Sequence, residues 1–167
     1  PRLGRYGFGM GHRPFREAAS RFMEERFGVH FDPITETIPL IGSKEGLSLL
    51  ALAYLAKGDA VIVPEPGFVS YIGGARLSEG DPFFVPLRPE NEFLLDLAEI
   101  PPEVAARARL MYLNYPNNPT AATAPLSYLE EVVAWCREHD VLLAYDNAYS
   151  ELAFDGYEPP SIFHVEG

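Results

Sequence analysis

The sequence predicts an α/β fold of three layers, a mostly parallel sheet with helices on both faces. Two observations carry this. From residue 60 onward, short runs rich in Val, Leu, Ile and aromatic residues recur as AVIVP, PFFVPL, RLMYLN and VLLAYD. Stretches of helical periodicity separate them, and that alternation marks βαβ units whose strands are buried on both faces.

The elements follow in order. From Pro14 the run PFREAASRFMEERF places Phe15, Ala18 or Ala19, Phe22 and Phe27 near one helical face, with Gly28 as the stop. A short apolar run, TIPLI, follows and is treated as a strand. Ser43 then opens a stretch, SKEGLSLLALAYLAKG, that is apolar on almost every side. Such a helix is expected to be covered by neighbours on several faces, and Gly58 is its expected C′ residue. AVIVP is the next strand, and a helix from Phe68 to about Leu77 leads to PFFVPL. A short helix near PPEVAARA leads to RLMYLN, and a helix from Pro125 to His139 leads to VLLAYD. In that last helix Leu126, Leu129, Val132, Val133 and Cys136 form one stripe. Glu130 and Glu131 lie toward its start and Arg137 and His139 at its end, the charge order that suits the helix dipole. No repeat, low-complexity tract or long linker divides the chain, so residues 1–167 are read as a single domain.

Composition narrows the function classes. With 167 residues, 47% of them hydrophobic and 22% charged, the chain has the make-up of a globular protein with a real core. Its 24 acidic and 13 basic side chains leave a net charge of −11, which repels phosphate backbones and anionic lipid and argues against nucleic-acid or membrane partners. The single cysteine, Cys136, excludes an internal disulfide and is expected to be a packed thiol in a reducing compartment. No basic segment followed by an apolar one opens the chain, and no run approaches about 18 apolar residues, so a cytoplasmic location is expected. His12, His30, His139 and His164 are scattered without ligand spacing, so no metal is expected. The chain begins PRLGRYGFG without an initiator methionine and stops at FHVEG, so a fragment is expected.

In an open parallel sheet the ligand crevice lies beyond the carboxyl ends of the strands. Four segments follow apolar runs: GSKEG, EPGFVSY, NYPNNPT and DNAYSEL. In GSKEG, Gly42 permits close backbone approach and Ser43 opens a helix whose free N–H groups can hold an anion, although serine there is also a common N-cap. The segment is neither GxGxxG nor a P-loop, so a dinucleotide or ATP finds no support. In PEPGF, Pro66-Gly67 suits a type II turn that delivers Phe68 to the strand end, where its ring can stack on a planar ligand or join the core. NYPNNPT holds Asn117 and Asn118 in a turn between prolines, and such an amide can bond a ligand oxygen. In DNAYSEL, Asp146 ends an apolar strand, and a buried acid without a partner costs several kcal/mol, so it is expected to face a cation. Together the four describe a planar aromatic phosphate: an anion at the helix start, a ring on Phe68, a ring oxygen bonded by Asn118 and Tyr149, and a protonated ring nitrogen opposite Asp146.

At these residues the chain resembles the class I/II aminotransferases, the fold-type I enzymes that use pyridoxal 5′-phosphate (PLP). RYGFGMGHRPFREA, GSKEGL, GDAVIVPEPGFVSY, LNYPNNPT and YDNAYSELAFDGYEPPS stand in the family's order and approximate spacing over nearly the whole length. The resemblance implies the large domain of a PLP-dependent transferase, incomplete here, with the rest of that domain and the small domain absent. It implies an aminotransferase that exchanges an amino group between an amino acid and a 2-oxo acid. By resemblance Ser43 and Lys44 bind the phosphate, Phe68 stacks on the pyridine, Asn118 and Tyr149 hold its phenolic oxygen, and Asp146 pairs with its nitrogen. Tyr6 matches a tyrosine that reaches the phosphate of a neighbouring subunit, which implies a homodimer with shared sites. GSKEGL and DGYEPPS lean toward the diaminopimelate-type branch.

Two departures stand out. Many relatives have glycine after NPT, where this chain has Ala121 and Ala122. The Schiff-base lysine of the family is also unmatched. The lysines present are Lys44, in the phosphate segment, and Lys57, roughly 20 Å along the expected helix at 1.5 Å per residue. Two other functions therefore stay open: a PLP-dependent lyase or decarboxylase of the same fold, and a non-catalytic binding or regulatory module that keeps the pocket.

Overall fold

In the computed structural model, which describes residues 9–166, four strands form one sheet: β1 (Ala60–Glu65), β2 (Asp81–Pro86), β3 (Ala108–Leu113) and β4 (Leu142–Tyr145). They lie in the order β2-β1-β3-β4 and every pairing is parallel. Helices α3 (Val69–Leu77), α4 (Pro102–Ala105) and α5 (Leu126–Glu138) make the connections. The chain forms two compact units, one ending at Ser43 and the other running from Lys44.

The sheet belongs to the second unit, and its strands alternate between two cores. Ile62, Val85, Met111 and Leu113 pack with Val104 and Ala105 of α4 and with Tyr128, Leu129, Val132 and Cys136 of α5. Val61, Val63, Leu110, Tyr112 and Ala144 pack on the opposite face with Tyr71 and Ala75 of α3 and Ala51 of α2 (Ser43–Tyr54). This is the three-layer α/β arrangement the strand pattern predicts, because a run apolar at every position can be satisfied only when both faces are covered. Each large aliphatic side chain buried this way contributes about 1.5–3 kcal/mol.

Tyrosine hydroxyls complete the α5 face. Leu95 is fully buried, and its N–H donates to the Tyr115 hydroxyl at 3.0 Å while its carbonyl accepts from Tyr128 at 2.9 Å. The Tyr115 hydroxyl donates in turn to the Phe93 carbonyl at 3.0 Å. Buried backbone groups need such partners, and here side chains supply what a ladder does not.

Several elements differ from expectation. α1 (Arg13–Phe27) ends at Gly28 with φ 69°, as expected, but its buried positions are Arg16, Ser20 and Phe27, while Phe15 and Phe22 are exposed. The aromatic spacing marks a face without saying what covers it. TIPLI is not a strand, and its Ile38 and Ile41 are 76% and 93% exposed. α2 ends at Tyr54, four residues before Gly58, and Ala51 is its one buried residue; Leu49 and Leu52 are about half exposed. Gly58 instead sits at φ 89° in the turn into β1, and Lys57 lies past the helix end, 3.4 Å from Glu79 Oε2. In α5 the buried stripe contains Tyr128, which the apolar pattern omits, while Leu126 and Val133 are half-buried. Cys136 is buried, packed on Met111 with its thiol pushed up to about 12 by desolvation.

Backbone approach explains one glycine and one anomaly. α3 crosses α2 so closely that a Cβ at Gly74 would lie 2.9 Å from Ser48 Cα and 3.0 Å from Ala51 Cβ. Ala121 takes φ 59°, in the left-handed region that suits glycine. Among the described residues no helix is long and apolar enough to cross a membrane.

Two substitutions test this account. Gly74→Ala should destabilise by roughly 1–3 kcal/mol in denaturant unfolding, since backbone must move to admit the methyl group. Ala121→Gly should do the reverse, gaining up to roughly 1 kcal/mol as relief of left-handed strain outweighs the extra freedom of the unfolded chain.

Candidate active site

β2 and β3 flank β1 on opposite sides, so the strand order reverses between β1 and β3, and the loops leaving the carboxyl ends there face a common crevice. Phe68 follows β1, Asn114 to Thr120 follow β3, and Asp146 to Tyr149 follow β4. The expected strand-end segments of the second unit therefore converge.

Phe68 is the N-cap residue of α3 and is half-buried. Gly67 delivers it, but not through a type II turn: Gly67 lies outside the positive-φ region, and a Cβ there would meet the Pro64 carbonyl oxygen at 2.3 Å. Glycine is required by close approach rather than by handedness. Lys44, next to the start of α2, places its ammonium 5.4 Å from the Phe68 ring centroid, a cation–π distance.

Beyond β3, the two amides separate in role. Asn118 directs its Nδ2 to the Tyr149 hydroxyl at 3.3 Å, which joins the two residues expected to act together. Asn117 is buried and folds into its own turn, donating from Nδ2 to Thr120 Oγ1 at 2.8 Å and from its backbone to the Ala122 carbonyl. The peptide bonds before Pro116 and Pro119 are cis. Asn114, buried and missed in the sequence, ties the loops together. Its Nδ2 donates to the Asp146 carbonyl at 2.6 Å and its Oδ1 accepts from the Asn118 N–H at 2.8 Å. Its position directly after β3 was the available signal.

Asp146 is half-buried, with its backbone N–H donating to the Leu113 carbonyl at 2.7 Å. Its Oδ2 accepts from the Tyr71 hydroxyl at 2.9 Å. Among the described residues that side-chain partner is a neutral phenol; the cation that the sequence reading expects opposite Asp146 is a ligand's ring nitrogen, not a side chain. Desolvation holds the carboxyl above the usual carboxylate range, and the Tyr71 hydrogen bond offsets part of that rise. Tyr71, one turn into α3, is a second residue that sequence reasoning did not single out; an i+3 spacing from Phe68 was its only mark.

A cavity of about 460 Å³ opens at Asn118 and Tyr149, walled also by Pro116, Leu152, Phe154 and Tyr157; Asp146 and Phe68 do not line it. Another, of about 570 Å³, lies by Arg109, Asp140 and Leu142 at the amino ends of β3 and β4, away from the convergent loops. Gly42 has φ 84° and with Ser43 closes the first unit, Ser43 being the first residue of α2. Tyr6 lies outside the described residues. Among the described residues no group of three or more His, Cys, Asp or Glu could hold a metal ion.

Comparison with known proteins places the chain by family and by fold. Residues 1–167 match the family described as Aminotransferase class I and II. LL-diaminopimelate aminotransferase 2 of Trichormus variabilis is 48% identical over 158 residues, covering 94% of this chain and 40% of that protein. LL-diaminopimelate aminotransferase of Desulforudis audaxviator is 47% identical over the whole chain and 43% of its own length. Among solved structures, apo-BacF from Bacillus subtilis superposes with a TM-score of 0.94 at 36% identity, over 99% of this chain and 42% of that one. A probable N-succinyldiaminopimelate aminotransferase from Thermus thermophilus gives 0.86 at 41% identity, over 93% and 41%. The chain thus spans about two fifths of the length of the curated relatives it matches. On its sequence and its fold alike, the chain belongs to the aminotransferase class I and II family.

Proposed function

We propose that this chain supplies most of the PLP-binding large domain of an aminotransferase that moves an amino group between an amino acid and a 2-oxo acid. The observation that carries this is Asp146, a half-buried carboxylate at the carboxyl end of the sheet whose side-chain partner is a neutral phenol. A site that desolvates an acid without a protein cation is suited to a ligand that brings one, and a protonated pyridine does so. The donor set beside it fits the same group. Asn118 and Tyr149 present an amide and a phenol together, as a ring oxygen requires, and Phe68 offers a half-buried aromatic surface.

In this reading Asp146 holds the ring-nitrogen proton, Asn118 and Tyr149 orient the ring through its phenolic oxygen, and Phe68 excludes water from one face. Gly42, Ser43 and Lys44 at the start of α2 would hold the phosphate, with free N–H groups and an ammonium as donors. When bound, the cofactor supplies the electron sink that lets the substrate Cα–H proton leave. Tyr6 is assigned to the phosphate of a second subunit, which makes the protein a homodimer with shared sites, and the location is cytoplasmic. The relatives named LL-diaminopimelate aminotransferase favour amino-group transfer over lyase chemistry and point to a diaminopimelate-like amino donor.

The test is PLP-dependent amino-group transfer by the full-length protein. Asp146→Ala should lower its rate by orders of magnitude, because the ring nitrogen loses the partner that keeps it protonated; unchanged turnover would remove Asp146 from the site. A second outcome follows from the raised carboxyl. The folded state binds the Asp146 proton more tightly than the unfolded chain does, so stability from this group is present at low pH and is lost as pH rises toward the folded value. Asp146→Asn should therefore raise the melting temperature of the cofactor-free protein at pH 7–8 and leave it unchanged near pH 3.

A further inference from the structure

Tyr71 is fully buried, and two aromatic contacts fix its ring. It stacks on Tyr112 with centroids 4.5 Å apart and planes 12° from parallel, and it meets Phe68 edge-on at 5.8 Å. Tyr112 is anchored in turn, its hydroxyl donating to the Leu47 carbonyl of α2 at 2.7 Å. The Tyr71 phenol oxygen is thereby held by α2, α3 and β3 together, and from there it donates to Oδ2 of Asp146. The two carboxylate oxygens become unequal: among the described residues Oδ2 has a side-chain donor and Oδ1 has none.

We infer that Tyr71 is a positioning residue for the proposed reaction: it holds Oδ2 of Asp146 and leaves Oδ1 as the oxygen that meets the cationic ring nitrogen of the ligand. The identity of that cation rests on the PLP reading; the Tyr71–Asp146 contact does not. The same phenol packs against Phe68, so the stacking surface and the acid are set by one side chain. Burial and the facing carboxylate hold the Tyr71 hydroxyl far above the ordinary phenol range, so it remains a donor wherever the protein is folded.

The experiment follows the Asp146 carboxyl by ¹³C NMR against pH in the cofactor-free full-length protein, with the signal assigned by its loss in Asp146→Asn. Tyr71→Phe keeps the stacked ring and removes the donor, so the Asp146 midpoint should rise. Placing 3-fluorotyrosine at position 71, a stronger donor, should lower it. A midpoint that moves in neither protein overturns the inference, and if Tyr71→Phe does not fold, the fluorotyrosine protein decides alone. Equilibrium binding of PLP is the second readout: Tyr71→Phe should bind about tenfold more weakly, because the ligand must then order the Asp146 side chain itself. Wild-type affinity in Tyr71→Phe, with affinity lost in Asp146→Asn, overturns the positioning role. Failure of the wild-type protein to bind PLP sinks the site reading instead, and the midpoint still reports on the contact.

Discussion

The site depends on one hydrogen bond between elements far apart in the chain, from the Tyr71 phenol on α3 to the Asp146 carboxylate beyond β4. Desolvating an acid is costly, and the protein answers it with a neutral donor. A lysine or arginine in that place would satisfy the charge and close the site to an external cation. A phenol stabilises the carboxylate only in part, so its pKa stays raised. The residual cost falls on the fold itself, a common relation between stability and function.

Around this pair the rest of the second unit acts as a frame. The parallel sheet brings the ends of β1, β3 and β4 to one edge because its crossovers return every strand in the same direction. Asn114 then fastens the β3 loop to the β4 loop, bonding Asp146 through its carbonyl and Asn118 through its N–H. Tyr145 adds a third tie, its hydroxyl donating to the Tyr115 carbonyl at 2.8 Å. With backbone groups satisfied by side chains, these loops keep their side chains aimed at the crevice without a ladder of their own.

The turn after Asn118 shows how little of this depends on family habit at each position. Ala121 accepts a left-handed φ that glycine would take freely, yet Asn118 still reaches Tyr149. Strain of this size is small beside the total stability of a domain, so the turn survives the departure.

Much of the fold was legible in the sequence. The four strands and the helices between them could be read because strands buried on both faces are continuously apolar, a local property. Asp146, Tyr149, Asn118 and Phe68 could be singled out because a polar or aromatic residue directly after such a run must lie at the sheet edge. What sequence could not supply is the partner of each group. Tyr71 meets Asp146 across 75 positions and Asn114 meets it across 32, distances that only the crossing of elements closes. Nor could it supply cover: α1 and α2 announce apolar faces, and only tertiary packing decides that Phe15, Phe22, Leu49 and Leu52 stand open while Ser20 and Arg16 are enclosed. Periodicity states which way a side chain points along its own helix, whereas burial depends on what another part of the chain places opposite it.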